Sequence, residues 1–480
     1  MFRQPWHDRV PAPRHRLFKV AVAICLVFAF MAYRNLWHDI SSPIPYTPWT
    51  RADYGGSWMN EAFEGIEGFS TPPARWSLAI NPPGKPKHRY TAKVHAQLIL
   101  DQAEATPNNN NLGCPALNHD RYRELVPPST EGDSSHKRTY FFALDLRQVV
   151  SLLPTLMGSI VEAVRFLGPE SCVLSVVEGL STDGTYETLL LLQDALTAMG
   201  TIVYIQRSDI NPRFGDRIGK LAKLRNLALE PMYLETSQMA EDDSATILFV
   251  NDVAACTEDL LELALQQRRQ HADMACAMDY RRLSRQYDYH MAFYDVWISR
   301  SMDGETFIMV PPGPAQWRFA DDLFPYDDVA RARYAQRRPF QVFSCWNGAV
   351  ALNAQPFLQK QIEFRRAHKH VGECGAGEPT LLCKDLWALG AGNILVVPSV
   401  SLGYTLEEGL DVKDTLGYTA NWTATEAAEG DAVEPVAVDW DPRPPSVVRC
   451  IPSWRKQFWQ AWDFGVERLR SSSRAKRIQE

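Results

Sequence analysis

From Tyr140 onward, short apolar runs alternate with longer stretches of helical periodicity, and this alternation limits the possible folds more than anything else in the sequence. "YFFAL" at 140–144 reads as a strand, Leu152 to Leu167 as a helix, "CVLSVVE" at 172–178 as a strand, and Tyr186 to Met199 as a helix. "TIVYIQ" at 201–206 is a third strand, followed by a helix running through Leu229. The apolar runs are rich in β-branched residues and hardly alternate with polar ones, which suits strands buried on both faces of a parallel sheet. Repeats of this kind predict an α/β chain with a doubly wound sheet. Ligands of such sheets sit at the carboxyl ends of the strands, so the residues that end each strand become the functional candidates.

Glu178 ends one strand, and Asp183 lies in the Ser-Thr-Asp-Gly-Thr turn that leads into the next helix. Both fall at the ligand edge. The alternative is local: Ser181 or Thr182 caps the helix while Asp183 and Glu187 complement its dipole. "ATILFVNDV" at 245–253 and "ADMACAMDY" at 272–280 are two more apolar strands, each ending in Asp. In the first, five residues cross the sheet and emerge at Asn251-Asp252, where a carboxylate could hold Mg²⁺ or Mn²⁺ against a diphosphate. Otherwise Asp252 caps the helix that begins near Thr257.

In the helix "RIGKLAKLRNLAL", 217–229, Ile218, Leu221, Ala222, Ala228 and Leu229 make one apolar face, and Arg225 falls in the middle of it. A buried guanidinium alone is very costly, so Arg225 is either paired or in contact with a ligand. Arg217, Lys220 and Lys223 form a neighbouring basic stripe at spacing three, which is either a solvated face or part of a binding site.

The 480-residue chain carries a formal net charge of −7, so it does not advertise nucleic-acid binding. No Gly-x-x-x-x-Gly-Lys-Ser/Thr loop, His-Glu-x-x-His helix or Gly-x-Ser-x-Gly elbow occurs, which disfavours a P-loop nucleotidase, a zincin protease and an ordinary lipase. Arg3, Arg9, Arg14, Arg16 and Lys19 precede or enter an apolar run, and Leu17 to Tyr33 would span about 26 Å as a helix. The expectation is a cytoplasmic tail at 1–16, a transmembrane signal anchor at 17–33 and the rest of the chain in the lumen of the early secretory pathway. A cleaved signal peptide is the rival, but "FAFMAYRN" lacks an Ala-x-Ala register.

Eight of nine cysteines lie beyond this anchor, where an oxidising lumen would let some pair. Asn421-Trp422-Thr423 is an N-glycosylation sequon. Residues 34–137 read as a stem with irregular packing, and 138–405 as the α/β domain that carries the candidate residues. Its second half, rich in aromatics and Pro, is expected to shape a second substrate site. Residues 406–480 read as an acidic loop, to about 441, and an aromatic and basic tail.

Several segments recur together and in order: "FFALDLRQVVSLLP", "LSVVEGLSTDGTYETL", "RIGKLAKLRNLAL", "FVNDV", "ADMACAMDY", "FYDVWISRSMDG", "SCWNGAV" and "GECGAGEPTLLCKDLWALG". With them, residues 138–405 resemble the fungal α-1,3-mannosyltransferase family of cryptococcal capsule synthesis. The resemblance implies a type II membrane glycosyltransferase of the Golgi or ER with a GT-A-like, Rossmann-like fold. It also implies GDP-mannose as donor, a mannose-containing glycan as acceptor, Mn²⁺ or Mg²⁺ as cofactor, and retention of the anomeric configuration.

Carried onto this chain, it puts Glu178 and Asp183 at the donor's base and ribose, with Arg217, Lys220 and Arg225 beside them. Asp252 stands in for the usual Asp-x-Asp metal motif, although Asn251-Asp252-Val253 offers one carboxylate only. Asp295, Trp346, Asn347 and Gly348 fall on the acceptor side. Glu378 or Asp385 would steady the oxocarbenium face or the acceptor hydroxyls. Two other readings stay open: a transferase with another donor, such as UDP-xylose, or a lumenal glycan-binding or export-assisting protein on the same fold without catalysis.

Overall fold

The computed structural model describes residues 86–102, 111–127, 137–234, 239–240, 245–283, 291–313, 315–428 and 437–466, all within one compact unit, Asn81–Glu480. The apolar segment 17–33 lies outside the described residues, among which no helix is long and apolar enough to cross a membrane.

Among the described residues a nine-stranded mixed sheet forms the centre. Its strands are β1 Tyr140–Leu146, β2 Cys172–Glu178, β3 Ile202–Arg207, β4 Thr246–Val250, β5 Met274–Arg281, β6 Ala292–Phe293, β7 Phe340–Gln341, β8 Ala349–Asn353 and β9 Ile394–Gly403. They lie in the order β3-β2-β1-β4-β8-β5-β9-β7, with β6 on β5. β1 to β4 are mutually parallel and β5 is parallel to β9.

Strand β8 runs the other way, inserted between β4 and β5. This departs from a simple doubly wound sheet and has a consequence for the site. With Ala349 opposite Val250, the start of β8 lies at the carboxyl edge of its neighbours, and so does the segment that precedes it, 346–348.

The absence of alternation in the strands is explained by apolar packing on both faces of the sheet. Phe142 and Leu144 of β1 belong to one core with the helices Leu153–Leu167, Thr185–Ala198 and Thr257–Arg269. Phe141 and Ala143 belong to the other, with the helices Arg217–Leu234 and Glu378–Leu389. Burying each Phe or Leu side chain among these is worth about 1.5–3 kcal/mol.

Helices occupy two regions read from sequence as irregular. Leu406–Leu416 is helical where an acidic loop was expected, because Thr405 caps it by accepting from Glu408 N and Glu407 and Glu408 fall in its first turn. Thr419–Ala428 follows. Pro86–Gln102 is a further helix within the stretch read as stem, and it packs on the 153–167 and 185–198 helices. The tail forms a hairpin, β10 Val447–Ser453 and β11 Lys456–Ala461.

Among the described residues three disulfides join distant segments: Cys114–Cys256, Cys276–Cys345 and Cys374–Cys450. The second ties β5 to the segment just before Trp346.

Candidate active site

At the carboxyl edge of the sheet, Arg225 is 6% exposed and Glu378 2% exposed. Arg225 Nε donates to Glu378 Oε1 at 2.9 Å. Its guanidinium lies over the ring of Trp346 at 4.2 Å and within 5.2 and 5.6 Å of Phe249 and Phe364. The intruder on the apolar face of its helix is therefore paired, and held in an aromatic box. Asn251 Oδ1 accepts from Trp346 Nε1 at 3.1 Å and from Arg225 Nη1 at 3.4 Å, so Arg225 orients the residue next to Asp252. Glu378 opens its helix, with Gly377 before it and Pro379 after it. A carboxylate suits that end of a helix. A Cβ on Gly377 would stand 2.3 Å from Ile298 Cδ1, so a larger residue there would have to push the end of the Ile298 side chain aside.

Asp252 is half-buried. Burial raises its carboxyl above the usual range, opposed by its own backbone N–H and by Arg225 and Arg281. It does not cap the following helix. Cys256 occupies the cap, and its backbone N–H donates to Asp259 Oδ2 at 2.7 Å.

Three further carboxylates crowd the same edge. Asp145, at the end of β1, is pushed up to about 6 by burial and by the charges of Asp252 and Glu378, with Arg225 opposing. Asp295 is raised to about 6, mainly by burial, although Asn347 N donates to it at 3.1 Å. Asp279 is held well above the ordinary value by burial and by Asp295. It accepts from Tyr404 Oη at 2.6 Å and from Asp295 N at 3.2 Å.

The turn before β8 is a buried pivot. Asn347 (φ +56°) and Gly348 (φ +88°) are both left-handed. Asn347 Nδ2 donates to Ala277 O at 2.8 Å, and its Oδ1 accepts from Ser299 Oγ at 2.6 Å. Asn251 N donates to Gly348 O at 2.8 Å. Asp295, Trp346, Asn347, Asp252, Arg225 and Glu378 thus meet in one place.

The other residues singled out from the sequence lie differently. Glu178 is fully buried, accepting from Ser181 N and pairing with Arg207 Nε at 3.3 Å. Asp183 accepts from Thr185 N and Thr185 Oγ1 at 3.0 and 2.7 Å and from Val150 N at 3.0 Å. Asp183 stitches the turn to the loop after β1 and lies beside the helix start, the local role weighed for it, whereas Glu178 braces the turn from within and ties it to β3. Ser181 and Thr182 do not cap the helix, since Gly184 holds that position and both hydroxyls accept from Gln148. Lys220 Nζ donates to the carbonyls of Asn211 and Phe214 at 3.0 and 2.8 Å, and Arg217 is exposed.

Asp385 stands two turns beyond Glu378, about 10 Å along the helix. Arg365 grips it bidentately at 2.7 and 2.8 Å and also holds Glu373. Asp385 therefore belongs to a separate ion network and is not brought to Arg225.

Asp145, Phe364, Arg281 and Tyr404 were not singled out from the sequence. Asp145 left a signal, as a carboxylate breaking the apolar run "FFALDL". Phe364, Arg281 and Tyr404 left none that separates them from ordinary aromatic and basic residues.

Asp252 and Asp145 supply the hard oxygens a divalent cation prefers. Among the described residues no group of three or more His, Cys, Asp or Glu could hold a metal by itself, so an ion here would complete its shell with substrate oxygens and water, as Mg²⁺-type sites commonly do.

Residues 139–385 match the family described as Cryptococcal mannosyltransferase 1. Alpha-1,3-mannosyltransferase CMT1 of Cryptococcus neoformans var. neoformans serotype D is 34% identical over 331 residues, covering 66% of this chain and 69% of that protein. Among solved structures, mannosyltransferase PcManGT from Pyrobaculum calidifontis in complex with GDP-Man and Mn2+ is 12% identical over 72% of this chain and 78% of its own, with a TM-score of 0.31 that does not establish a common fold. With more than half its length inside the family match, and a relative matched over more than two thirds of that relative's own length, this chain belongs to the cryptococcal mannosyltransferase family.

Proposed function

We propose that this chain is an α-1,3-mannosyltransferase that moves mannose from GDP-mannose to a mannose-containing glycan with retention, on a GT-A-like fold. The observation that carries the reading is the convergence, inside the family match, of Asp252, Asn251, Arg225, Glu378, Asp295 and Trp346 at the sheet's carboxyl edge. Departure of the diphosphate places negative charge on the leaving group and positive charge on the sugar carbon. A site gains rate only by stabilising that separation more than the ground state. Arg225, locked by Glu378 and three rings, keeps Asn251 and the start of the 378–389 helix in fixed positions, so little reorganisation is left for the reaction. Asp295, half-buried, offers a carboxylate suited to the cationic sugar face or to acceptor hydroxyls, while Glu378, almost fully buried, acts through its pairing with Arg225. Asp252 would hold Mn²⁺ or Mg²⁺, which supplies charge neutralisation at the diphosphate. The acceptor's proton passes to a leaving phosphate oxygen.

A lumenal, membrane-anchored location belongs to the same proposal. It is supported by three disulfides, which persist in oxidising compartments. Purified protein with Mn²⁺ and a panel of nucleotide sugars tests the function. GDP release from GDP-mannose above that from the other donors is expected, and turnover of UDP-xylose alone, or of none, would overturn it. Protease digestion of residues 138–405 in intact microsomes without detergent would overturn the location.

A further inference from the structure

Three tryptophans from distant segments meet beside the candidate site. The ring centroids of Trp297 and Trp454 are 3.7 Å apart and those of Trp317 and Trp454 5.8 Å apart. All three are only half-buried. Against Trp454 opens a cavity of about 340 Å³ lined by Gly313, Gln316, Ser453 and Arg455. The ledge is held firmly: Gly313 N donates to Trp454 O at 3.0 Å, Arg300 Nε donates to Arg449 O at 2.7 Å, and Cys374–Cys450 fastens the hairpin to the segment before Glu378.

The groove at Trp454 is joined to the candidate site, by way of Trp297, through one tight turn. Ile298 N and Ser299 N both donate to Asp295 O at 3.1 Å, so Trp297 rides on the turn that carries Asp295. Clasping the hairpin would account for the Trp297–Trp454 contact, but not for the open cavity on Trp454.

We propose that this groove binds the acceptor glycan and leads its reacting hydroxyl toward Asp295, an inference that rests on the transferase reading above. A pyranose presents an apolar C–H face and a rim of hydroxyls. The Trp454 indole on the cavity wall matches the first by stacking, and Ser453 and Arg455 offer hydrogen-bonding groups to the second. With one guanidinium on its rim, the groove fits a neutral polyhydroxylated chain better than a polyanion.

Calorimetric titration of the purified protein with α-linked mannotriose, without donor, tests this. Trp454→Ala should weaken binding at least roughly tenfold. Because that change also removes a hairpin contact, Arg455→Ala, at an exposed position, provides the second arm, and it should weaken binding severalfold at an unchanged melting temperature. Mannotriose affinity equal to wild type in both folded variants overturns the inference. Hydrolysis of GDP-mannose by the wild-type protein, measured separately, tells the failures apart. Hydrolysis without groove-dependent mannotriose binding sinks the groove alone, whereas neither hydrolysis nor binding sinks the transferase reading with it.

Discussion

Arg225→Met removes the cation from the aromatic box while keeping a side chain of similar reach. In the native protein the guanidinium donates to Glu378 at 2.9 Å with both partners almost fully buried, and lies 4.2 Å from the Trp346 ring. Leaving Glu378 as a buried carboxylate without this counter-charge should cost about 3–5 kcal/mol, with up to about 2 kcal/mol at stake in the stacking on Trp346. Against the 5–15 kcal/mol typical of a folded protein, the variant should still fold, with a much lower urea midpoint.

The loss should depend on pH. Burial already raises Asp295 to about 6 and Arg225 opposes that rise, so removing the cation lifts it further. A carboxyl raised in the folded state binds its proton more tightly there, and its stabilising share is complete below the unfolded value and lost as pH rises through the folded one. The penalty should therefore be larger at pH 8 than at pH 5.5. Arg225→Met/Glu378→Gln, which leaves neither charge, should recover a large part of the loss. Urea unfolding of wild type, both single variants and the double variant at the two pH values measures this. An Arg225→Met midpoint equal to wild type, or a double variant whose losses simply add, would refute the reasoning.

Asp252→Asn should reduce Mn²⁺-dependent turnover by several orders of magnitude while shifting stability by less than about 1 kcal/mol; normal metal-dependent turnover in the folded variant would remove Asp252 from metal binding. Asp385→Asn should weaken the grip of Arg365 at a cost of about 1–3 kcal/mol and leave turnover close to wild type, which thermal melts and donor turnover on one preparation can check. Replacing Cys276 and Cys345 together by Ser should cost about 2–5 kcal/mol, seen in denaturant unfolding, and loosen the Trp346 segment that the bridge ties to β5. Burial raises Glu258 to about 7, opposed by the Asn118 N–H that it accepts at 3.1 Å. Its share of stability is therefore lost as pH rises through about 7, and Glu258→Gln should flatten the melting temperature between pH 5.5 and 8.

The sequence alone determined the layered α/β plan, because strands covered on both faces must be apolar without alternation and the helices between them must carry one apolar face. It also singled out residues that the fold gathers at the sheet's carboxyl edge: Asp252, Arg225 and Glu378 follow from strand ends, an interrupted apolar face and the family resemblance. Tertiary structure decided what each of these residues touches. Glu178 and Asp183 lie at the right edge, yet loop amides take up their carboxylates, because a tight turn needs acceptors for its own N–H groups. Asp385 shares a helix with Glu378, but Arg365, twenty positions away in sequence, claims it at two turns' distance.

The antiparallel strand β8 could not be anticipated, since strand direction depends on which neighbours pair and not on local periodicity. That one reversal brings Trp346, Asn347 and Gly348 to the same edge as Asn251 and Arg225. Hydrogen bonds and ring contacts made across 26 to 153 positions of sequence, from Arg225 to Asn251 and to Glu378, then complete the site, and contacts of that range are encoded in no single stretch of the chain.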